Sequence, residues 1–231
     1  MKARRTRQRL ERPFYKDSEV EAICEDALRS VSLFPESPSP VRIDRFIEKR
    51  FGISPSYEDL PEGVLGLTIF GSKGVEAVCL SRSLDDRGKV GERRVRSTLA
   101  HEGGHGLLHA HLFPLGDAEL LFGDSSDPAR PKVLCRDESV EGAPRGGYDG
   151  RWWEFQANGA MSSLLLPRPL VEKALESYLL EQGSLGMRAL NPRRREEAAR
   201  DLSEIFDVNP VFAKLRIEKL FPEAGEKQLA L

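Results

Sequence analysis

All four histidines of this 231-residue chain lie between positions 101 and 111. Two of them belong to the run His101-Glu102-Gly103-Gly104-His105, an HExxH sequence. On a helix, residues four apart differ by about 40° in rotation and about 6 Å in rise. Both imidazoles then leave one face and can converge on one metal ion. Glu102 flanks the pair, which places its carboxylate beside the metal and near a bound water. This is the geometry of a hydrolytic zinc site: zinc lowers the pKa of the water, and the glutamate takes its proton as the water attacks a carbonyl. The chain must therefore build a helix over about 92–111, with Pro114 beyond its end. Gly103 and Gly104 each cost about 1 kcal/mol against alanine in a helix interior, which points to a close neighbouring backbone. His109 lies about 12 Å along the axis from His101 and His111 points elsewhere, so both read as structural.

A catalytic zinc site takes three protein ligands and keeps one position open. Downstream of His105 the candidates are Asp117, Glu119, Asp124, Asp127, Cys135, Glu138, Glu141 and Glu154. Most lie in a polar stretch where water can solvate them. Glu154 instead begins a helical face continued by Ala157, Asn158, Met161 and Leu165, apolar but for Glu154 and Asn158. An ionised carboxylate on such a face needs a cation or strong hydrogen bonds. Asn158, one turn on, can hydrogen-bond a ligating imidazole. Cys135 is the runner-up: a thiolate would close the site, but Val133-Leu-Cys-Arg136 reads as a short apolar patch whose cysteine is buried.

The rest of the chain reads as mixed α+β. Residues 2–12 carry six basic side chains and one acid, a solvated arm. Val20, Ile23, Cys24, Ala27, Leu28 and Val31 form one helical stripe, with Asp17 or Ser18 as its cap. A Pro-Ser turn at 34–40 leads to a short helix at 44–51 ended by Gly52. Val64–Phe70 and Val75–Leu80 flank Gly71-Ser-Lys-Gly74 as a hairpin, with an edge strand at 56–60. Residues 114–150 read as a long loop with little regular structure. Helices are expected at 152–166, 170–181, 192–206 and 210–221. Leu202, Ile205, Phe206, Val208, Phe212, Leu215 and Leu220 form a core for the last two, and Asn209 or Asp207 caps the final one.

Lys+Arg number 35 against 37 Asp+Glu, a formal −2, which removes the global electrostatic case for binding nucleic acid or an anionic membrane. There is no apolar run of membrane-spanning length, and the basic N-terminus with no apolar run behind it is not expected to act as a secretory signal. Cys24, Cys79 and Cys135 are odd in number and widely spaced, so they suggest neither a disulfide framework nor a CxxC site. The expected compartment is the reducing cytoplasm.

Arg94–His109, RVRSTLAHEGGHGLLH, resembles the metal-binding helix of the ImmA/IrrE-type metallopeptidases. Trp153–Pro167, WEFQANGAMSSLLLP, resembles that family's E-x-x-A-N helix, and DLPEGVLGLTIFGSKGVEAVCLSRSL resembles its small sheet. The likeness covers roughly 41–170. It departs at Gly103, at Gly159 or Ala160, at Leu166 and in the long 112–150 loop, and keeps every ligand. The resemblance implies a zincin-like core of small mixed sheet, HExxH helix and Glu-bearing helix. It divides the chain into an arm and amphipathic helix (1–40), the zinc peptidase core (41–170) and a helix-turn-helix-like tail (171–231). It implies His101, His105 and Glu154 as Zn2+ ligands and Glu102 as general base. It also implies a protein substrate, a helix-turn-helix repressor or antitoxin, whose cleavage regulates a mobile-element or stress-response locus. Tyr148 and His109 are both candidates for the oxyanion-stabilising group.

The alternative is a DNA-binding regulator, or a toxin–antitoxin partner module, with a non-catalytic core. Lys214, Arg216 and Lys219 on the last helix favour it weakly, because Glu218 interrupts them and Asp201 and Glu204 line the preceding helix. Arg193-Arg-Arg195 reads as a solvated helix start.

Overall fold

The stripe Val20, Cys24, Ala27 and Leu28 is buried, and it lays the first helix, α1 (Asp17–Ser30), along α4 (Trp152–Leu165). The computed structural model describes residues 15–71, 73–84, 88–112, 132–136, 152–182 and 187–222. Neither Asp17 nor Ser18 caps α1. The helix starts a residue earlier, and the Glu19 carboxylate accepts the Lys16 backbone N–H at 2.6 Å. This satisfies one of the amides that a helix start leaves unpaired.

After α2 (Ile43–Phe51), ended at Gly52, come β1 (Ser56–Glu58), β2 (Val64–Gly71) and β3 (Gly74–Ser81). β2 and β3 form the expected antiparallel hairpin, with Thr68 opposite Val78, and β1 runs parallel to β3. Within 114–150, read as a loop, only residues 132–136 are described, and the remainder lies outside the described residues. Lys132–Arg136 is a strand, β4, antiparallel to β2, so the sheet order is β1-β3-β2-β4. Val133-Leu-Cys135 is short and apolar, and the partner strand β2 supplies the ladder that makes it a strand.

α3 (Lys89–Leu108) carries the HExxH run, and His109 follows as its C-cap with its N–H on the His105 carbonyl. Beyond α4, the helix expected at 170–181 stops early. α5 spans Arg168–Ala174, a 3-10 turn covers Glu176–Tyr178, and β5 (Leu179–Gln182) pairs antiparallel with β6 (Met187–Leu190). Antiparallel pairing of Leu179–Gln182 with Met187–Leu190 outweighs the helical period before it. α6 (Arg195–Phe206) and α7 (Pro210–Leu220) close the described chain, and the Asn209 side chain accepts the Val211 N–H as cap. The architecture is α+β. Among the described residues no helix is long and apolar enough to cross a membrane.

One hydrophobic cluster runs from Val20 and Phe46 through Leu99, Ala160 and Leu164 to Phe206, Phe212 and Ile217. Leu215, expected in it, is instead 46% exposed. Polar clamps hold α6 and α7 to the rest. Arg93 on α3 bonds Asp207 (2.9 Å) and Glu204 (3.0 Å), and Arg96 donates to the carbonyls of Val41 and Phe206. Arg216 is buried, donates to the Leu166 carbonyl and pairs with Glu21 at 2.9 Å. Lys214 pairs with Glu196, and Lys219 with Asp17. The three cations of the last helix are thus each matched to an acid of the same chain.

α3 and α4 touch where α3 lacks side chains. A Cβ added at Gly104 would lie 2.8 Å from the Ala160 Cβ and 3.0 Å from the Ala157 carbonyl oxygen. The sequence therefore has glycine where another backbone passes. Gly104→Val should destabilise the protein: overpacking costs about 1–3 kcal/mol, more than the few tenths of helix propensity valine gains over glycine. Denaturant unfolding should show a lower midpoint at unchanged slope. A midpoint equal to wild type would mean that the helices are not in this contact.

Candidate metal centre

His101 and His105 project from α3 into the crevice against α4, and both are buried. Their Nε2 atoms lie 3.0 Å apart. Glu154 reaches across from the first turn of α4, its Oε2 3.0 Å from His101 Nε2 and 3.6 Å from His105 Nε2. One ligand atom from each residue lies within 4.8 Å of the other two, so this group can hold a metal ion. The three residues come from positions 53 apart in sequence, brought together by the close α3–α4 approach.

The groups behind the ligands set what the ligand atoms are. Asn158 Oδ1 lies 3.0 Å from His101 Nδ1. An amide oxygen only accepts, so Nδ1 carries the proton and His101 Nε2 presents a lone pair to Glu154. Two lone pairs at this separation repel unless a cation or proton sits between them, which is the chemistry of a ligand set. On the far side of His105, its Nδ1 lies 3.0 Å from His109 Nδ1, and His109 Nε2 lies 3.4 Å from Gln156 Oε1. His109 is therefore not part of the ligand set, as its position along the helix requires. It is also turned away from the ligand atoms, which does not suit it to stabilise an oxyanion there. His111 sits exposed on a 3-10 turn.

Glu102 is fully buried on the sheet side of α3. The Thr68 hydroxyl of β2 donates to its Oε2 at 2.6 Å and contacts its backbone carbonyl at 3.2 Å. Gly66, two residues earlier on β2, makes room: a Cβ there would lie 2.6 Å from Thr98 Cγ2 and 3.1 Å from Glu102 Oε1. Sequence reasoning missed Thr68 and Gln156, and read His109 as structural or as an oxyanion-stabilising candidate rather than as a partner of His105. The available signals were the alternation of β2, which puts Gly66 and Thr68 on one face, and the i, i+4 step from His105 to His109. Asp117, Glu119, Asp124, Asp127, Glu138, Glu141 and Tyr148 lie outside the described residues, and of Cys135 only the strand position is described.

Burial holds the His105 imidazole below its ordinary pKa despite the nearby Glu154 carboxylate, and it lowers His109 further, with His105 adding to the effect. Burial alone would raise Glu154. With a proton between them and the carboxylate, the His105 and His101 rings outweigh it and hold Glu154 well below the usual range. Compared with known proteins, the chain matches no family model and no curated sequence.

These shifts fix the sign of the pH response in chelator-treated protein. An imidazole with a depressed folded-state pKa favours the unfolded chain once the pH drops below its unfolded value of about 6.5. Stability should be level above that pH and fall below it, by up to about 1.4 kcal/mol per pH unit for each of His105 and His109. The loss from Glu154 follows at more acid pH, as the pH falls from its unfolded value of about 4.3 through its lower folded one. Denaturant unfolding at pH 7.5, 6.5 and 5.5 reads this, and a flat profile across that range would contradict burial of neutral imidazoles.

Proposed function

We propose that this protein is a zinc-dependent endopeptidase with a zincin-like core, hydrolysing a peptide bond in a specific protein substrate. The observation that carries the reading is the convergence of His101 Nε2, His105 Nε2 and Glu154 Oε2 within 4.8 Å, with Glu102 next to His101 on the same helix. Two imidazoles and one carboxylate are a donor set that suits zinc and leaves a position open. The resemblance of 94–109 and 153–167 to the ImmA/IrrE-type metallopeptidases supports the same assignment. It extends the reading to a helix-turn-helix repressor or antitoxin as substrate, a mobile-element or stress-response locus, and the cytoplasm.

His101, His105 and Glu154 would hold the ion, and Asn158 orients His101. Zinc bound there supplies a Lewis acid for the scissile carbonyl and lowers the pKa of water toward neutrality. The Glu102 carboxylate, fixed by the Thr68 hydroxyl, accepts a proton from the attacking water and passes it to the leaving amine. Burial of Glu102 keeps competing solvent from the same carboxylate. The DNA-binding alternative loses ground because Lys214, Arg216 and Lys219 are matched to Glu196, Glu21 and Asp17 rather than presented as a basic face.

The test is incubation of the zinc-loaded protein with candidate helix-turn-helix repressors, beginning with any that a neighbouring gene encodes. Wild type should cleave one of them. Glu102→Gln should keep about one zinc per chain and lose activity by about 10²–10⁴-fold, the usual share of a general base. Glu154→Ala should lose zinc itself, by more than the roughly 10–100-fold that follows loss of an outer partner. Cleavage by metal-free protein in the presence of chelator would overturn the proposal.

A further inference from the structure

α3 and its C-cap residue present three imidazoles in one line. His101, His105 and His109 are successive i, i+4 neighbours, their ring centroids 4.7 Å and 5.1 Å apart. The third is fully buried beneath Trp152, with ring centroids 5.5 Å apart and the planes near perpendicular. Behind it stands Gln156, 2% exposed, on the inner face of α4.

The proton positions along this line follow from one end. Gln156 Oε1 can only accept, so the hydrogen of the His109 pair sits on His109 Nε2. A neutral imidazole has one N–H, so His109 Nδ1 is an acceptor. It faces His105 Nδ1 at 3.0 Å, so His105 carries its hydrogen on Nδ1. His105 Nε2 is then a bare lone pair, pointing at His101 Nε2 and Glu154 Oε2. The opposite arrangement, with the hydrogen on His109 Nδ1, would push a hydrogen onto His105 Nε2, where a metal ion has to bind.

We propose that His109, oriented by Gln156, is a positioning residue that sets the tautomer of His105 and keeps its Nε2 open to the metal. The inference rests on the metal reading above. The usual outer partner of a ligating histidine is a carboxylate, a backbone carbonyl or water. A neutral imidazole does the same orienting without adding negative charge. A divalent ion facing only Glu154 as an anionic ligand keeps a net positive charge, which suits polarising a carbonyl.

The experiment compares wild type with His109→Leu, His109→Asn and Gln156→Leu in the full chain. Zinc affinity is measured by chelator competition, and the His105 tautomer by 15N NMR of the metal-free protein. Circular dichroism and thermal melting check folding. His109→Leu should weaken zinc by about 10–100-fold. His109→Asn, whose amide oxygen can accept from His105 Nδ1, should recover most of that loss. Gln156→Leu should mix the His105 tautomers and weaken zinc to a smaller extent. A folded His109→Leu protein with wild-type zinc affinity overturns the proposal, as does an asparagine variant no better than leucine. The two readings separate cleanly. If wild type binds no zinc while Gln156→Leu still shifts the tautomer, the relay stands and the metal reading falls. If zinc binds and the tautomer ignores Gln156, the relay alone falls.

Discussion

The backbone-to-backbone approach of α3 and α4 at Gly104 is the constraint on which the rest of the structure depends. With no side chain at 104, Ala157 and Ala160 come within contact distance of the HExxH helix. Glu154 sits one turn before that contact, so its carboxylate reaches the two histidines without leaving its helix. α1 packs on the far side of α4, and the cluster running from Val20 to Ile217 holds the pair together. A wider separation of the two helices would cost the site its third ligand before it cost the protein its core.

The electrostatics of the centre depend on that proximity. Three electron-pair donors held within 4.8 Å in a buried crevice are unfavourable together, since few water molecules can screen them. The two imidazoles are kept in that state by groups behind them, Asn158 at His101 and His109 at His105. Asn158 holds the His101 proton on its outer nitrogen, and Thr68 fixes the neighbouring Glu102. Asn158 and Thr68 come from α4 and the sheet, so the site is tied into both layers of the fold. The polar clamps of Arg93, Arg96 and Arg216 then bind the C-terminal helices to this same core.

What could be read in the sequence was what depends on local spacing. The His101/His105 pair, the α1 stripe, the β2–β3 hairpin and the Glu154–Asn158 face all follow from a period of 3.6 or 2 along a few turns. The close approach at Gly104 was legible as an energetic anomaly, a glycine where a helix disfavours one. Features that need a distant partner were not. Lys132–Arg136 becomes a strand only beside β2, and Thr68 meets Glu102 only because the sheet lies under α3. The helical period through 170–181 was a local signal that tertiary pairing of β5 with β6 overrode. His109 illustrates a limit of distance arguments: its rise along the axis excludes it as a ligand, yet it touches a residue that qualifies as one.

The most direct test of a zinc centre built from His101, His105 and Glu154 is X-ray absorption at the zinc edge on the purified protein. Such a centre gives only nitrogen and oxygen neighbours at about 2.0–2.2 Å, with the scattering pattern of two imidazoles. A sulfur neighbour at about 2.3 Å would move the site to a cysteine such as Cys135, and protein that takes up no zinc would contradict the centre altogether.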